Sequence, residues 1–278
     1  MGRFIFGLSL ISVTLVGFFA WQGWQYFRSE FPDVSVLKTQ YPVVHYLGPK
    51  KPPRVTLSKS RPPSWVSLGQ VSKVGIGAIV VSEDWAFYQH GGFDARQIKE
   101  AIKEDWEEGT FARGASTITQ QVVRNVFLDK DKNLWRKLKE LILAVRIEES
   151  VGKRKILESY LNIAEWGEGI YGINAATQFY FKKSPMELTA REGAFLAMLL
   201  PSPKRYSQSY RARHLTEYAQ DTVSDILHKM TQARYLTEQD RDRELSSALV
   251  FEVRPNSEVP SLPVHESEMP INKAKTAL

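Results

Sequence analysis

Ser82-Glu83-Asp84-Trp85-Ala86-Phe87-Tyr88-Gln89-His90-Gly91-Gly92 follows an apolar run, residues 76–81, with the composition of a buried helix segment. Two adjacent carboxylates thus stand where an apolar helix gives way to a turn, beside aromatics, a histidine and two glycines. Burial penalises the charged form of a carboxyl group and raises its pKa. A glutamate so placed can accept a proton near neutral pH. Glu83 is therefore the candidate general base, and the rest of the chain reads as a scaffold for it.

The chain has 278 residues, a formal charge of +6 and no cysteine. That length allows one sizeable core or two small ones. The lack of cysteine excludes disulfides, thiolate metal sites and a cysteine nucleophile. A basic balance suits an anionic membrane surface or a phosphorylated substrate. No nucleic-acid recognition module is present, which sets nucleic acid aside as a partner. The histidines show no metal-ligand spacing, so His90 reads first as a residue bracing its turn.

Residues 4–27 carry no charge and, as a helix, would span roughly 36 Å. Trp21, Trp24, Tyr26 and Phe27 cluster at the far end, as at a membrane–water interface. Bulky Trp21 after Ala20 argues against signal-peptide cleavage. We expect one transmembrane anchor with the amino terminus inside and the body outside. Residues 28–66, with Pro52-Pro53, Pro62-Pro63 and five Lys or Arg between 50 and 61, read as a basic linker.

Beyond the linker the pattern is helix after helix. A helix is expected over 94–108, capped by Asp94 and stopped by Gly109, then a loop to Gly114. Others are expected from Ser116 or Thr117 to about 127, from 134 to near Gly152, and over 153–164. Ser184-Pro185-Met186-Glu187 has the form of a capping box opening a helix to Leu200. Residues 213–233 and a short piece from Thr237 complete the set. The one strand expected is at 249–253, and the tail from Pro255 is expected to be disordered. The division is 1–27 tip and anchor, 28–66 linker, 67–245 catalytic domain and 246–278 tail.

Three further segments could carry chemistry. Gly114-Ala115-Ser116-Thr117-Ile118-Thr119-Gln120-Gln121-Val122-Val123-Arg124-Asn125 offers more hydroxyls and amides than helix capping needs, which suits an anion or a sugar. Arg136, Lys137 and Glu140 share a helix face. By spacing alone they form either a weak surface ion pair or a charged group that steadies a pyrophosphate. In 155–162, Ile156, Leu157, Tyr160 and Leu161 read as core. Glu158 and Asn162 read as braces for the glycine loop 166–172.

Five blocks, taken in order, resemble the peptidoglycan glycosyltransferases of glycosyltransferase family 51 in their monofunctional, membrane-anchored form. They are Glu83-Asp84-x-x-Phe87-x-x-His90-x-Gly92; Gly114-x-Ser116-Thr117-Ile118-Thr119-Gln120-Gln121; Arg136-Lys137-x-x-Glu140; Lys155-Ile156-Leu157-Glu158-x-Tyr160-Leu161-Asn162; and Glu192-x-Ala194-x-Leu196-Ala197 with Pro201. The resemblance covers about residues 65–240.

The resemblance implies a mainly α, lysozyme-like head with a small membrane-proximal jaw. It implies polymerisation of lipid II into a growing lipid-linked strand, outside a bacterial cytoplasmic membrane. Glu83 would be the base, and Glu140 would organise the leaving pyrophosphate with Mg²⁺ or Mn²⁺. Gln121, Arg124, Lys132, Arg136 and Lys137 would contact phosphate or donor sugar. Asp84, His90, Gly114, Ser116, Thr117, Thr119, Gln120 and Asn125 complete the expected substrate-binding set. Penicillin-binding or cell-division proteins would be partners. Arg124 stands where many members have lysine, and Lys132 near where arginine is frequent, so fork and point charge are exchanged. Ser150-Val151-Gly152-Lys153 fits Ser-x-x-Lys by accident: no Lys-Thr-Gly follows. The alternatives are a lysozyme-like lytic transglycosylase and a non-catalytic cell-wall scaffold.

Overall fold

The computed structural model describes residues 2–95, 99, 116–129 and 133–252, with side chains from residue 13 on. The described residues are mainly helical. Helix α1 spans Gly2–Glu30 and leads into a 3₁₀ turn, Val34–Lys38, capped by Asp33. Strands β1 (Tyr41–His45) and β2 (Arg54–Ser58) pair antiparallel, with Tyr41 opposite Ser58 and His45 opposite Arg54. Then come α2 (Lys73–Glu83), α3 (Ile118–Phe127), α4 (Leu134–Val151) and α5 (Lys153–Ile163). A small ribbon, β3 (Glu165–Gly167) and β4 (Ile170–Tyr171), precedes α6 (Ile173–Phe181) and α7 (Ala190–Leu199). Two short helical turns lead to α8 (Glu217–Gln232) and α9 (Glu238–Ser246).

One core joins these elements. Helix α2, with Ile79 and Val80 buried, packs on α7 and α8, which bury Ala194, Leu196 and Leu227; α3, with Ile118 and Val122 buried, packs on α4 and α5, which bury Leu143, Ile147 and Ile156. The approach of α2 to α7 is close because glycines face each other: a Cβ on Gly193 would lie 2.8 Å from the Gly75 Cα. Gly92 is equally constrained. Its φ is +106°, and a Cβ there would lie 2.6 Å from the Ala144 carbonyl oxygen. The loop that follows α2 can therefore lie directly on the α4 backbone.

Several expectations are corrected. Much of the 28–66 stretch is not a bare linker. Phe31, Val34, Leu37, Trp65 and Val66 are buried, and the β1–β2 ribbon lies within it. The Lys155 ammonium sits over the rings of Tyr41 (4.2 Å) and Trp65 (4.9 Å), tying the segment to α5. Proline and charge dominate its composition, but the apolar residues between them are the ones that pack. No strand forms at 249–252. Leu249 and Phe251 are buried in a turn closed by the Glu252 N–H on the Leu249 carbonyl (2.9 Å), and no described strand pairs with it. The Ser184 box opens only the 3₁₀ turn Pro185–Glu187, and Thr189 caps α7 with its own box. The helix expected from 213 begins at Glu217, capped by Thr216.

Among the described residues no helix is long and apolar enough to cross a membrane. The first part of the apolar run of α1 lies outside the side chains described. The helix expected over 94–108, except its first residues, the loop 109–114, Val253 and the tail from Pro255 also lie outside them.

Gly92→Ala is expected to lose about 3 kcal/mol of stability, from positive φ and forced overlap together. A drop of several degrees in the thermal midpoint, with the secondary-structure signal retained, is the measurement.

Candidate active site

The site begins where α2 stops. Its last residue is Glu83, and Asp84 leaves the helical conformation at φ −161°, ψ 75°. The Asp84 side chain is fully buried. It accepts the Ile118 N–H at the start of α3 (3.0 Å) and lies 2.9 Å from His90 Nε2. His90 Nδ1 accepts the Gly92 N–H (3.2 Å), so Nε2 carries the hydrogen donated to Asp84. The Thr117 hydroxyl donates to the Gly92 carbonyl (2.7 Å) and caps α3 through the Gln120 N–H (3.2 Å). The loop after α2 and the start of α3 are thereby locked together.

That lock aims Gln121, one turn into α3, at Glu83. Its Nε2 donates to Glu83 Oε2 at 2.8 Å. The Tyr160 hydroxyl of α5 stands 3.4 Å from the same oxygen and 3.4 Å from Gln121 Oε1. Burial pushes the Glu83 carboxyl above its ordinary value, and neighbouring Asp84 adds to the rise. The Gln121 and Tyr160 hydrogen bonds and the Arg124 charge hold it back. The direction is the one a base working near neutral pH requires.

Glu140 on α4 has a different environment. It is fully buried, with Arg136 Nη1 on Oε2 (2.8 Å) and Lys137 Nζ on Oε1 (2.6 Å). Lys137 also donates to Ser116 Oγ (3.2 Å) at the start of α3. The weak surface pair is thus ruled out: the carboxylate is inside, and both cations are bonded to it from its more exposed side. Both oxygens are taken, so Glu140 does not fit as a direct ligand of Mg²⁺ or Mn²⁺. Among the described residues no group of three or more His, Asp or Glu is placed to hold a metal.

A cleft of about 770 Å³ lies between the β1–β2 ribbon, the end of α3, the start of α4 and the β3–β4 ribbon. Arg54, Arg124, Asn125, Arg136, Glu165 and Tyr171 line it. Arg124 bears on Glu83 and Arg136 is bonded to Glu140, so both acids connect to this one space through its cations.

Of the residues expected to bind substrate, Asp84, Thr117, Thr119 and Gln120 are buried. Their described bonds hold the frame, and His90 is spent on Asp84. Ser116, Gln121 and Lys137 are half-buried around the two acids, while Arg124, Asn125 and Arg136 line the cleft. Gly114 and Lys132 lie outside the described residues. Tyr160, read as core, is core with its hydroxyl directed to Glu83. Glu158 and Asn162 brace residues 65–68: Glu158 accepts from Trp65 Nε1 and the Leu68 N–H, and Asn162 pairs with the Val66 backbone. Arg54 was hidden in the presumed linker.

Residues 52–231 match the family model described as transglycosylase. The chain belongs to the transglycosylase family. Among relatives, the biosynthetic peptidoglycan transglycosylase of Shewanella denitrificans is 45% identical over 160 residues, 58% of this chain and 68% of that protein. That of Nitrosomonas eutropha is 39% identical over 162 residues, 58% of this chain and 66% of that protein. Penicillin-binding protein 1F of Bacillus subtilis is 37% identical over 195 residues, 70% of this chain and 27% of that protein. The match therefore spans about two thirds of the first two relatives. All five sequence blocks fall inside the stretch assigned to the transglycosylase family.

Two outcomes are expected at Glu83. In Glu83→Gln, turnover falls by a factor of about 100 or more. Stability rises at neutral pH, because a carboxyl whose folded pKa is raised destabilises the fold once ionised. The gain should fade as pH falls below the unfolded-state pKa, which thermal melts across pH would follow. In Tyr160→Phe, loss of a donor to the carboxylate raises the Glu83 pKa further. The acidic limb of the pH–rate profile should move to higher pH, and an unmoved limb would remove Tyr160 from the base's environment.

Proposed function

We propose that this transglycosylase polymerises lipid II, a disaccharide-peptide on a polyprenyl pyrophosphate, into β-1,4-linked peptidoglycan strands. One observation carries the reading. A half-buried glutamate whose pKa burial raises, Glu83, lies within the field of Arg124, and Arg124 lines one cleft together with Arg136, which Glu140 holds. Glu83 takes the proton from the 4-hydroxyl of the acceptor GlcNAc. That oxygen attacks C1 of the donor MurNAc, the C1–O bond to the pyrophosphate breaks, and the polyprenyl pyrophosphate leaves with inversion. Arg124 and Arg136 offer planar forks to the departing oxygens. Glu140 holds Arg136 and Lys137 in place for this. A divalent ion, Mg²⁺ or Mn²⁺, would be carried by the pyrophosphate itself and would supply charge neutralisation.

In this reading residues 4–27 are a single-pass anchor and the catalytic body lies on the outer face of a bacterial cytoplasmic membrane. The aromatic girdle at 21–27 and the basic body support it. The body is the lysozyme-like head and jaw of the resemblance. The growing lipid-linked strand is a second substrate, and the named relative among penicillin-binding proteins suggests such proteins as partners.

Purified protein given lipid II should yield polymer. Fragments released from finished sacculi, with no polymer from lipid II, would overturn the reading in favour of cleavage. Glu140→Gln should lower polymerisation by about 100-fold, since Arg136 and Lys137 lose the partner that aims them. Unchanged single-turnover rates in that variant would contradict its assignment.

A further inference from the structure

The end of α1 is gripped by α4. Glu30 Oε2 accepts from Lys139 Nζ (2.7 Å) and from Trp135 Nε1 (3.2 Å). Phe31 meets the Trp135 ring edge-on at 6.2 Å. The Arg146 guanidinium lies over Phe27 (6.0 Å) and Phe31 (5.8 Å). Trp135, Lys139 and Arg146 are separated by four and seven residues, which places them on one stripe of α4. Arg136, Lys137 and Glu140 project from the adjoining face of the same helix. The 3₁₀ turn after α1 continues the grip, with Val34 and Leu37 buried. No free hinge separates the anchor helix from the helix that carries the cleft's cations.

We propose that Glu30 is a positioning residue: it fastens the anchor helix to α4 and so sets the height and tilt of the cleft above the membrane. This rests on the reading of α1 as the anchor. An ion pair this exposed contributes little to stability in water. Its value is geometric, because two donors on one oxygen define a direction. Nearby in α4, the side chains of Leu134, Trp135 and Leu138 are exposed and apolar. Against a bilayer that surface excludes water and strengthens the pair. A fixed joint confines the site to the layer where a lipid-tethered substrate meets it; a loose one spreads it over a larger volume and lowers effective concentration.

The cysteine-free chain allows a direct test. Spin labels at Val16→Cys on α1 and Glu149→Cys on α4, in the full chain in bilayer nanodiscs, report the angle between them. The native pair should give a narrow distance distribution and Glu30→Ala a broad one. The exchange Glu30→Lys with Lys139→Glu should narrow it again. In vesicles, Glu30→Ala should raise KM for lipid II about 10-fold and leave kcat nearly unchanged. A distribution in Glu30→Ala as narrow as the native one, or an unchanged KM despite broadening, overturns the proposal. Failure of the native protein to float with vesicles would instead overturn the anchor reading, and failure of the native protein to polymerise lipid II would count against the proposed function.

Discussion

The buried carboxylate of Asp84 is the constraint on which the site depends. It ends α2 on one side and receives the first free N–H of α3 on the other, where a helix amino terminus favours negative charge. Hydrogen bonds to a charged group are worth about 1.5–3 kcal/mol each, and a buried carboxylate left without them is strongly penalised. Two helices far apart in sequence are thus forced into one geometry. Glu83 is adjacent to the pin on α2, and Gln121 is one turn from it on α3. Their 2.8 Å contact spans the junction that Asp84 pins.

The two acids of the site differ through their neighbours. Burial raises the proton affinity of Glu83, against the pull of its amide and phenol partners. Glu140 has a guanidinium and an ammonium, one on each oxygen. The first arrangement leaves a group able to change its protonation. The second turns a carboxylate into a bracket for cations. Arg124, whose charge acts on Glu83, and Arg136, bonded to Glu140, line the same cleft and so link the two acids to it.

The amino-terminal segments contribute more than a tether. The β1–β2 ribbon supplies Arg54 and the paired prolines to the cleft wall. The end of α1 lies on α4, the helix that carries Arg136 and Glu140. Whatever fixes the ribbon and α1 therefore acts on the site's shape, although neither lies among the blocks that define the catalytic body.

Much of the molecule was legible in the sequence because the relevant physics is local. Apolar periodicity marked α4 and α5, the start of α3 was narrowed to Ser116 or Thr117, and spacing put Arg136 and Lys137 on one face with Glu140. An apolar run ending in a carboxylate already implied a desolvated Glu83. The rest depends on neighbours distant in the chain. Burial of Asp84, Thr119 and Gln120 turned expected substrate contacts into frame, because an amide or hydroxyl looks alike in sequence whether it meets a ligand or another helix. Tyr160 read as core until α3 and α5 brought its hydroxyl to Glu83. Residues 28–66 read as a stalk since a two-stranded ribbon pairs across eight intervening residues and packs its apolar side against α5 and α3, both distant in the chain. Helix periodicity and capping are written within a few residues of themselves; which polar groups remain open to a substrate is decided by what packs over them.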